Sequence, residues 1–325
     1  MTRVAHTISP TISASSPYGR VKLGDRKPAI PRFATEAAAD CHAQFGGDLF
    51  SLLDQVGGGC FEPPAVDGSA GTPIIKANSL VTADSIFNST IAAGVMTVTG
   101  VVTGRKLAAG MIISGSGVTR GNAIQSQLTS TEPGGALGGA GTYQLVTTTD
   151  NGTAAERWAT STYGGLLCPW DDQVNQTCVI VFANPNVQMN AYIMGDYATS
   201  DVNAGWYVRA TTDAYSQRAR PASVASTLTL PSRGTGSWLC MVITEDAAST
   251  RVRVCGQATS TSDAPRVAPG RRRSIGNRFL TDPTYQTGLE IAEVVHIPAT
   301  LDVTEMDALY TRAKARAAGR GQAVL

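Results

Sequence analysis

Charge is what this 325-residue chain has least of: Asp, Glu, Lys and Arg make up only 16% of it, against about 25% in an average soluble domain. Its net charge of +1 supplies no field to draw it to nucleic acid or an acidic membrane, so neither partner is expected. No apolar run approaches the roughly 18 residues of a membrane span. The first 30 residues are broken by Pro10, Pro17, Asp25 and Pro28, so a Sec leader is not expected either. Histidine is almost missing, with His6, His42 and His296 showing no metal-ligand spacing. The six cysteines, at 41, 60, 168, 178, 240 and 255, form no CxxC pair, and Cys41-His42 with Cys60 lacks the frame of a zinc site. Buried free thiols, with no metal and no cofactor, are the expectation.

Catalytic signatures are missing as well. No serine sits in a GxSxG elbow, and Gly115-Ser116-Gly117 has neither the Lys-Ser/Thr nor the helix of a phosphate loop. The carboxylate pairs Asp171-Asp172, Glu245-Asp246 and Glu290 with Glu293 are spaced so that their members point to different sides of the chain, unlike the facing carboxyls of a glycoside hydrolase. A non-enzyme is expected. In place of charge stand 44 Ala, 37 Thr and 34 Gly, a mixture that favours strands and tight turns.

Four segments follow one another. Residues 1–60 read as an extended arm, with four prolines before residue 35 and two short helices: one over 36–45 capped by Thr35, another over 48–56 with Leu49, Leu52, Leu53 and Val56 on one face. Residues 61–93 begin with Pro63, Pro64, Gly68, Gly71 and Pro73, a linker, and the first sandwich strand is expected over 73–87. From 94 to 150 short alternating runs (95–99, 111–114, 123–128, 142–146) are separated by glycine, the signature of antiparallel strands. In 151–325 seven further strand signals, at 178–182, 191–194, 206–209, 226–230, 237–243, 251–255 and 290–296, lead to a helix. Asp302 and Glu305 form its capping box, and Met306, Leu309, Tyr310 and Ala313 its apolar face.

Two resemblances attach to these segments. The strings "TVTGVVTG", "LAAGMIISGSGVTRGNAI" and "GGAGTYQLVTT" between Gly94 and Thr149 resemble a Gly/Thr-rich β-module of bacteriophage tail-fibre and other virion surface proteins. That implies a structural spacer or decoration unit. The order "GSWLCMVITEDAASTRVRVCGQ", "RRRSIGNR", "GLEIAEVVHIPATLDVTEMDALY" resembles the C-terminal half of a concanavalin-like, laminin-G-type jelly roll. The fold expected is therefore an all-β jelly-roll sandwich with the Gly/Thr-rich module inserted between early strands; two domains in tandem are the rival arrangement.

The function expected is that of a non-enzymatic bacteriophage virion surface protein, a capsid decoration, head-fibre or tail-fibre component. It would be made in the host cytoplasm, fixed to other virion proteins by residues 1–60, homotrimeric, and in contact with host surface polysaccharide. The alternative is a glycan-binding lectin-like module or a glycan-active enzyme of the same fold. Trp170, Tyr197, Trp206, Tyr207 and Tyr215 are the candidate glycan-binding residues, because flat aromatic rings stack on sugar faces; packing within the core or a subunit interface is the competing reading. Trp206 and Tyr207 are consecutive, so one is expected inside and the other exposed. Arg271-Arg272-Arg273, with Arg266 and Arg278, is the only basic run. It reads as a solvated strand edge or as a site for acidic polysaccharide or a neighbouring subunit's carboxylates.

Overall fold

The computed structural model describes Ala39, 41–46, 61, 73–100, 102–115, 117–119, 121–160, 165–183, 192–197, 203–210, 214–219, 221, 225–229, 237–254, 257, 259–263, 265–277 and 288–325. Residues 35–325 form one compact unit. Its chain begins with β1 (Cys41–Gln44), β2 (Ile74–Ile75) and β3 (Leu80–Val81). A second group comprises β4 (Ser85–Ala92), β5 (Val95–Val98), β6 (Thr103–Gly104), β7 (Ile112–Ser114), β8 (Ile124–Ser130), β9 (Gly141–Leu145) and β10 (Gly152–Thr160). The rest is β11 (Leu166–Asp171), β12 (Gln176–Ala183), β13 (Tyr192–Gly195), β14 (Trp206–Ala210), β15 (Ala214–Ala219), β16 (Ala225–Thr229), β17 (Trp238–Glu245), β18 (Thr250–Val254), β19 (Ser260–Ser262), β20 (Arg272–Ile275), β21 (Glu290–Ile297) and α1 (Val303–Gly319).

The first and third groups build an all-β, jelly-roll-like sandwich. One sheet runs β19-β18-β17-β12-β21-β3-β2 with β1 also on β21, and the other runs β11-β20-β13-β14-β15-β16. Every pairing between them is antiparallel. Strand β12, sequence QTCVIVFA, is buried along its whole length because both its faces are covered. Cys178, Ile180 and Phe182 point into the core between the sheets, while Val179 and Val181 point at Met306, Leu309, Tyr310 and Ala313 of α1. A continuous apolar run is what a strand covered on both sides requires. The helix starts on a full capping box, with Glu305 N–H donating to Asp302 Oδ1 at 2.8 Å and Asp302 N–H to Glu305 Oε2 at 2.9 Å.

Two expectations fail here. Residues 41–44 form a strand, paired Cys41↔His296 through Gln44↔Glu293, where a helix over 36–45 is read from the sequence. The period is two: Cys41, Ala43 and Phe45 enter the inter-sheet core, while His42 and Gln44 face Glu293 on the other side. Glu293 is available to them because Ala292 is an extra residue in β21, between the pairs Phe182↔Ile291 and Val181↔Glu293. Such a bulge turns two consecutive side chains to one face. Arg316 of α1 completes the group, its Nη2 2.6 Å from Glu293 Oε1. The second expected helix, 48–56, lies outside the described residues. The other correction concerns 73–87, read as one sandwich strand. Ile74–Val81 pairs within the sandwich, but from Ser85 the chain joins a separate sheet.

That sheet is ordered β7-β10-β4-β5-β9-β8, with β6 also on β4. It closes on itself: Ile113 N–H donates to Asn122 O at 2.8 Å, Ile124 N–H donates to Met111 O at 2.9 Å, and Ile112 bridges Ala123. These bonds join β7 to the start of β8 and round the sheet into a small barrel. Phe87, Ile91, Met96, Val98, Ile113 and Tyr143 fill it, and β4 alternates buried and outward positions along its length. Ala93 and Gly94, both at positive φ, make the two-residue turn that joins β4 to β5. A Cβ on Gly94 would lie 2.5 Å from Thr148 Cα, so only glycine fits. The barrel leaves the sandwich after Val81 and the chain returns at Leu166, with Ser85↔Ala159 paired side by side at its base. Ile86 and Trp158 on its outside pack against Ile74, Val81 and Ala83. Lys76 Nζ bridges Glu156 at 2.8 Å and Glu290 at 3.1 Å across the same joint.

Candidate functional site

At one end of the sandwich five charged side chains meet with no exposure to solvent: Asp172 after β11, Asp196 after β13, Glu245 at the end of β17, Arg266 before β20 and Arg273 within it. Arg273 Nη2 lies 2.6 Å from Glu245 Oε2 and 2.7 Å from Asp172 Oδ1, and its Nε lies 3.3 Å from Asp196 Oδ2. Arg266 closes the ring, its Nε 3.0 Å from Glu245 Oε1 and its Nη2 directly on Asp172 Oδ2. Gln176 donates to Asp172 at 2.5 Å and to Glu245 at 3.0 Å, and its carbonyl oxygen meets His296 Nε2 at 3.0 Å. Burial alone would raise the pKa of Asp172, but Arg273 and Arg266 outweigh it and hold the carboxyl below its usual range. For Arg273, burial works against the charge and the surrounding carboxylates prevail, so its pKa rises further. Asp196 goes the other way, pushed up to about 8 by burial first and then by the Asp172 charge.

Sequence reasoning missed this cluster. Adjacent carboxylates do face apart, as expected: Asp171 is exposed while Asp172 is buried, and Glu245 is buried while Asp246 caps its own turn through Ala248 and Ser249 N–H. What spacing cannot reveal is that Asp172 and Glu245, from different pairs, are brought together by Arg273. The basic run is accordingly no solvated edge. Strand β20 lies between β11 and β13, Arg273 points inward with its guanidinium 4.7 Å from the Trp206 ring centroid, and Arg272 reaches back to the Cys168 and Leu167 carbonyls. Arg278 lies outside the described residues. The only sequence signal was the alternation inside the run, which sends Arg273 to one face and Arg272 to the other.

The five aromatic candidates are all buried, and they do not form one site. Trp170, the most exposed of them at 7%, stacks on His296 at 4.6 Å and meets Phe61 edge-on at 5.9 Å. Trp206 lies in the inter-sheet core under Arg273, and Tyr215 packs edge-on against Phe182 at 6.1 Å. Tyr197 and Tyr207 are on the opposite, outer side of the six-stranded sheet, in a cluster with Tyr192. Trp206 and Tyr207 thus face opposite ways, but both are covered, which corrects the expectation that one would be exposed. None of the five offers an open ring face for a sugar.

The outer side of that sheet has a different character. Tyr207 meets Tyr192 at 5.2 Å and Tyr197 at 5.1 Å, each edge to face. Gly195, opposite Tyr207 in the ladder, makes room for it, since a Cβ there would lie 2.8 Å from Tyr207 Cβ. On this aromatic base lie Arg209, 5.7 Å from the Tyr207 ring centroid, and Arg218, 6.0 Å from that of Tyr197. Arg272, turned away from the core by the alternation that sends Arg273 inward, lies on the same face, Arg271 gives its Nε to Asp196 O at 2.8 Å, and all four arginines are half-buried. Asp171, opposite Arg272, is the single carboxylate on this face among the described residues.

Other candidate chemistry is limited. Cys41, Cys168, Cys178 and Cys240 are buried, with burial pushing the Cys178 thiol up to about 12. Among the described residues no three His, Cys, Asp or Glu side chains are grouped to hold a metal, and no helix is long and apolar enough to cross a membrane.

Fold and site together define an all-β sandwich carrying an inserted barrel, with an arginine-lined outer sheet face. Neither a protein-family model nor a curated protein matches the chain. Solved structures of similar architecture include the Ruminococcus gnavus IT-sialidase CBM40 bound to α2,6-sialyllactose, at 16% identity over 42% of this chain and 82% of that one, TM-score 0.33. The botulinum neurotoxin serotype D binding domain is similar at 10% identity over 86% of this chain and 52% of that one, TM-score 0.42. The leech intramolecular trans-sialidase is similar at 14% identity over 42% of this chain and 23% of that one, TM-score 0.33.

Proposed function

We propose that this chain is a lectin-like binding module, not a catalyst, and that it takes an anionic glycan on the outer face of its six-stranded sheet. The observation that carries the reading is the pair Arg209 and Arg218 lying on the rings of the Tyr192-Tyr197-Tyr207 cluster, on the same outer sheet face as Arg272. Guanidinium groups present paired N–H donors that match a carboxylate or sulfate. The tyrosines array these groups instead of stacking on sugar. Catalysis by paired carboxylates is disfavoured because Asp172 and Glu245 are clamped by arginines away from solvent. The test is retention of the full chain on heparin, chondroitin sulfate and uncharged dextran. Salt-sensitive retention on the sulfated supports, weakened at least tenfold in Arg209→Ala/Arg218→Ala, is expected; equal retention on dextran, or none at all, refutes it.

The Gly/Thr-rich barrel supports a second reading, in which the module is displayed on a bacteriophage particle as a decoration or fibre component, held by residues 1–60 and assembled as a trimer. Full-length protein should then co-sediment with particles and a chain lacking residues 1–60 should not. Equal incorporation of both refutes this reading.

A further inference from the structure

We propose that the buried cluster of Asp172, Asp196, Glu245, Arg266 and Arg273 is a proton-dependent clamp: it holds one proton between the Asp172 and Asp196 carboxyls, and loss of that proton loosens the loops gathered around it. The inference stands apart from whatever the outer face binds. Its first support is the charge count. Three carboxyls and two guanidiniums share a site from which solvent is excluded, so the site is neutral only with one carboxyl protonated, and an unbalanced buried charge is costly. Geometry says which one. Asp172 takes short contacts from both arginines and from Gln176. Asp196 has only Arg273 at 3.3 Å and Arg266 at 3.9 Å, with the Trp206 N–H at 2.6 Å on its other oxygen. Its Oδ2 and Asp172 Oδ1 both lie within 3.3 Å of Arg273 Nε, so the two carboxyls sit side by side and repel when both are charged.

Among the described residues, Arg266 and Arg273 are the cations whose side chains touch these three carboxyls. From β12 come the neutral Gln176 amide and the Cys178 thiol, itself pushed up to about 12. From β21, His296 reaches the cluster through Gln176 Oε1. From β17 comes Glu245 and from β20 Arg273, while Arg271 gives its Nε to the Asp196 carbonyl. The cluster joins several loops. Asp172 N–H donates to Arg271 O at 2.9 Å, Gly205 N–H to Val267 O at 3.1 Å, Arg266 N–H to Ala247 O at 3.2 Å, and Arg266 Nη1 to Gln173 O at 2.7 Å. A repulsive Asp172–Asp196 pair therefore acts on 172–175, 196–197, 203–205, 246–249 and 265–271 together.

The sign follows from linkage. With its folded pKa raised above the unfolded value, Asp196 contributes stability that is complete below about pH 4 and is lost as pH rises through the folded pKa near 8. One proton can change the unfolding constant by at most about tenfold per pH unit. The experiment is urea denaturation of the full chain and of Asp196→Asn from pH 5 to 9, with amide exchange corrected for intrinsic rates. We expect the unfolding constant of the native chain to rise several-fold more per pH unit than that of Asp196→Asn up to about pH 8. Exchange in 172–175 and 265–271 should accelerate above pH 8 in the native chain only. Parallel profiles overturn the proposal. Should Asp196→Asn not fold, carboxyl NMR of Asp-labelled native protein decides: one aspartate titrating near pH 8 is expected, and none titrating above pH 6 overturns it.

Discussion

Replacing Arg273 by Met keeps a long side chain on β20 while deleting one of the two cations that balance Asp172, Asp196 and Glu245. All of these groups are shielded from water, so the loss cannot be made good by solvation. Removing one partner of a buried ion pair costs about 3–5 kcal/mol, a sizeable part of the roughly 5–15 kcal/mol that holds a domain folded. At roughly 2–4 °C per kcal/mol in a large domain, the melting temperature should fall by about 10 °C. Urea denaturation monitored by tryptophan fluorescence measures this, and the slope against urea should not change, since the surface exposed on unfolding is the same. Adding Glu245→Gln removes the one carboxylate left without a balancing cation, since Arg266 still pairs with Asp172, and should recover more than half of the loss. The control is Lys76→Met, whose partners Glu156 and Glu290 are partly solvated and whose removal should cost less than about 1 kcal/mol. If Arg273→Met and Lys76→Met prove equally mild, the cluster is not the internal support described above.

Further tests reach other parts of the chain. Burial works to raise the pKa of Glu293, but the contact with His42 and the hydrogen bonds from Arg316 outweigh it and hold the carboxyl below its usual range. Its contribution is thus present above pH 4.5 and lost as pH falls through the folded value; Glu293→Gln should be less stable at pH 7 and show a shallower acid limb, and an unchanged limb refutes the assignment. Trp206→Ala should cost about 3–5 kcal/mol of stability, as for a buried aromatic, where a surface sugar platform would cost almost nothing. Joining Asp84 to Thr160 through a tight turn in place of 85–159 should leave a sandwich that melts cooperatively; an aggregated product would show that the barrel is needed for folding. Cys168 and Cys178, both pushed up by burial, should react with a thiol reagent only after denaturation, and rapid labelling in native buffer would contradict their placement.

The parts of this fold that were legible in the sequence are those whose pattern is local. The capping box at Asp302, the alternation in β5 and β9, the glycine-bounded runs of β7 and β8, and the apolar run of β12 each depend on neighbours within a few residues. Strand β1 was not legible because Cys41-His42-Ala43-Gln44 has no strong propensity; what makes it a strand is Glu293, some 250 residues away, turned towards it by the bulge at Ala292. The ionic cluster was hidden for the same reason. Its members are polar residues at loop edges, and only the strand order that sets β20 between β11 and β13 makes them interior. The aromatic candidates show the converse: residue type identified Trp170, Trp206 and Tyr215, but the side of the sheet each faces decided that they pack inward.

Because Ser85 and Ala159 are ladder partners at the base of the barrel, the chain departs and comes back at one spot. The sandwich therefore sees the whole excursion as a single surface turn. A gene segment bounded at these two positions can be exchanged for another closed module, or lost, without shifting the register of any sandwich strand.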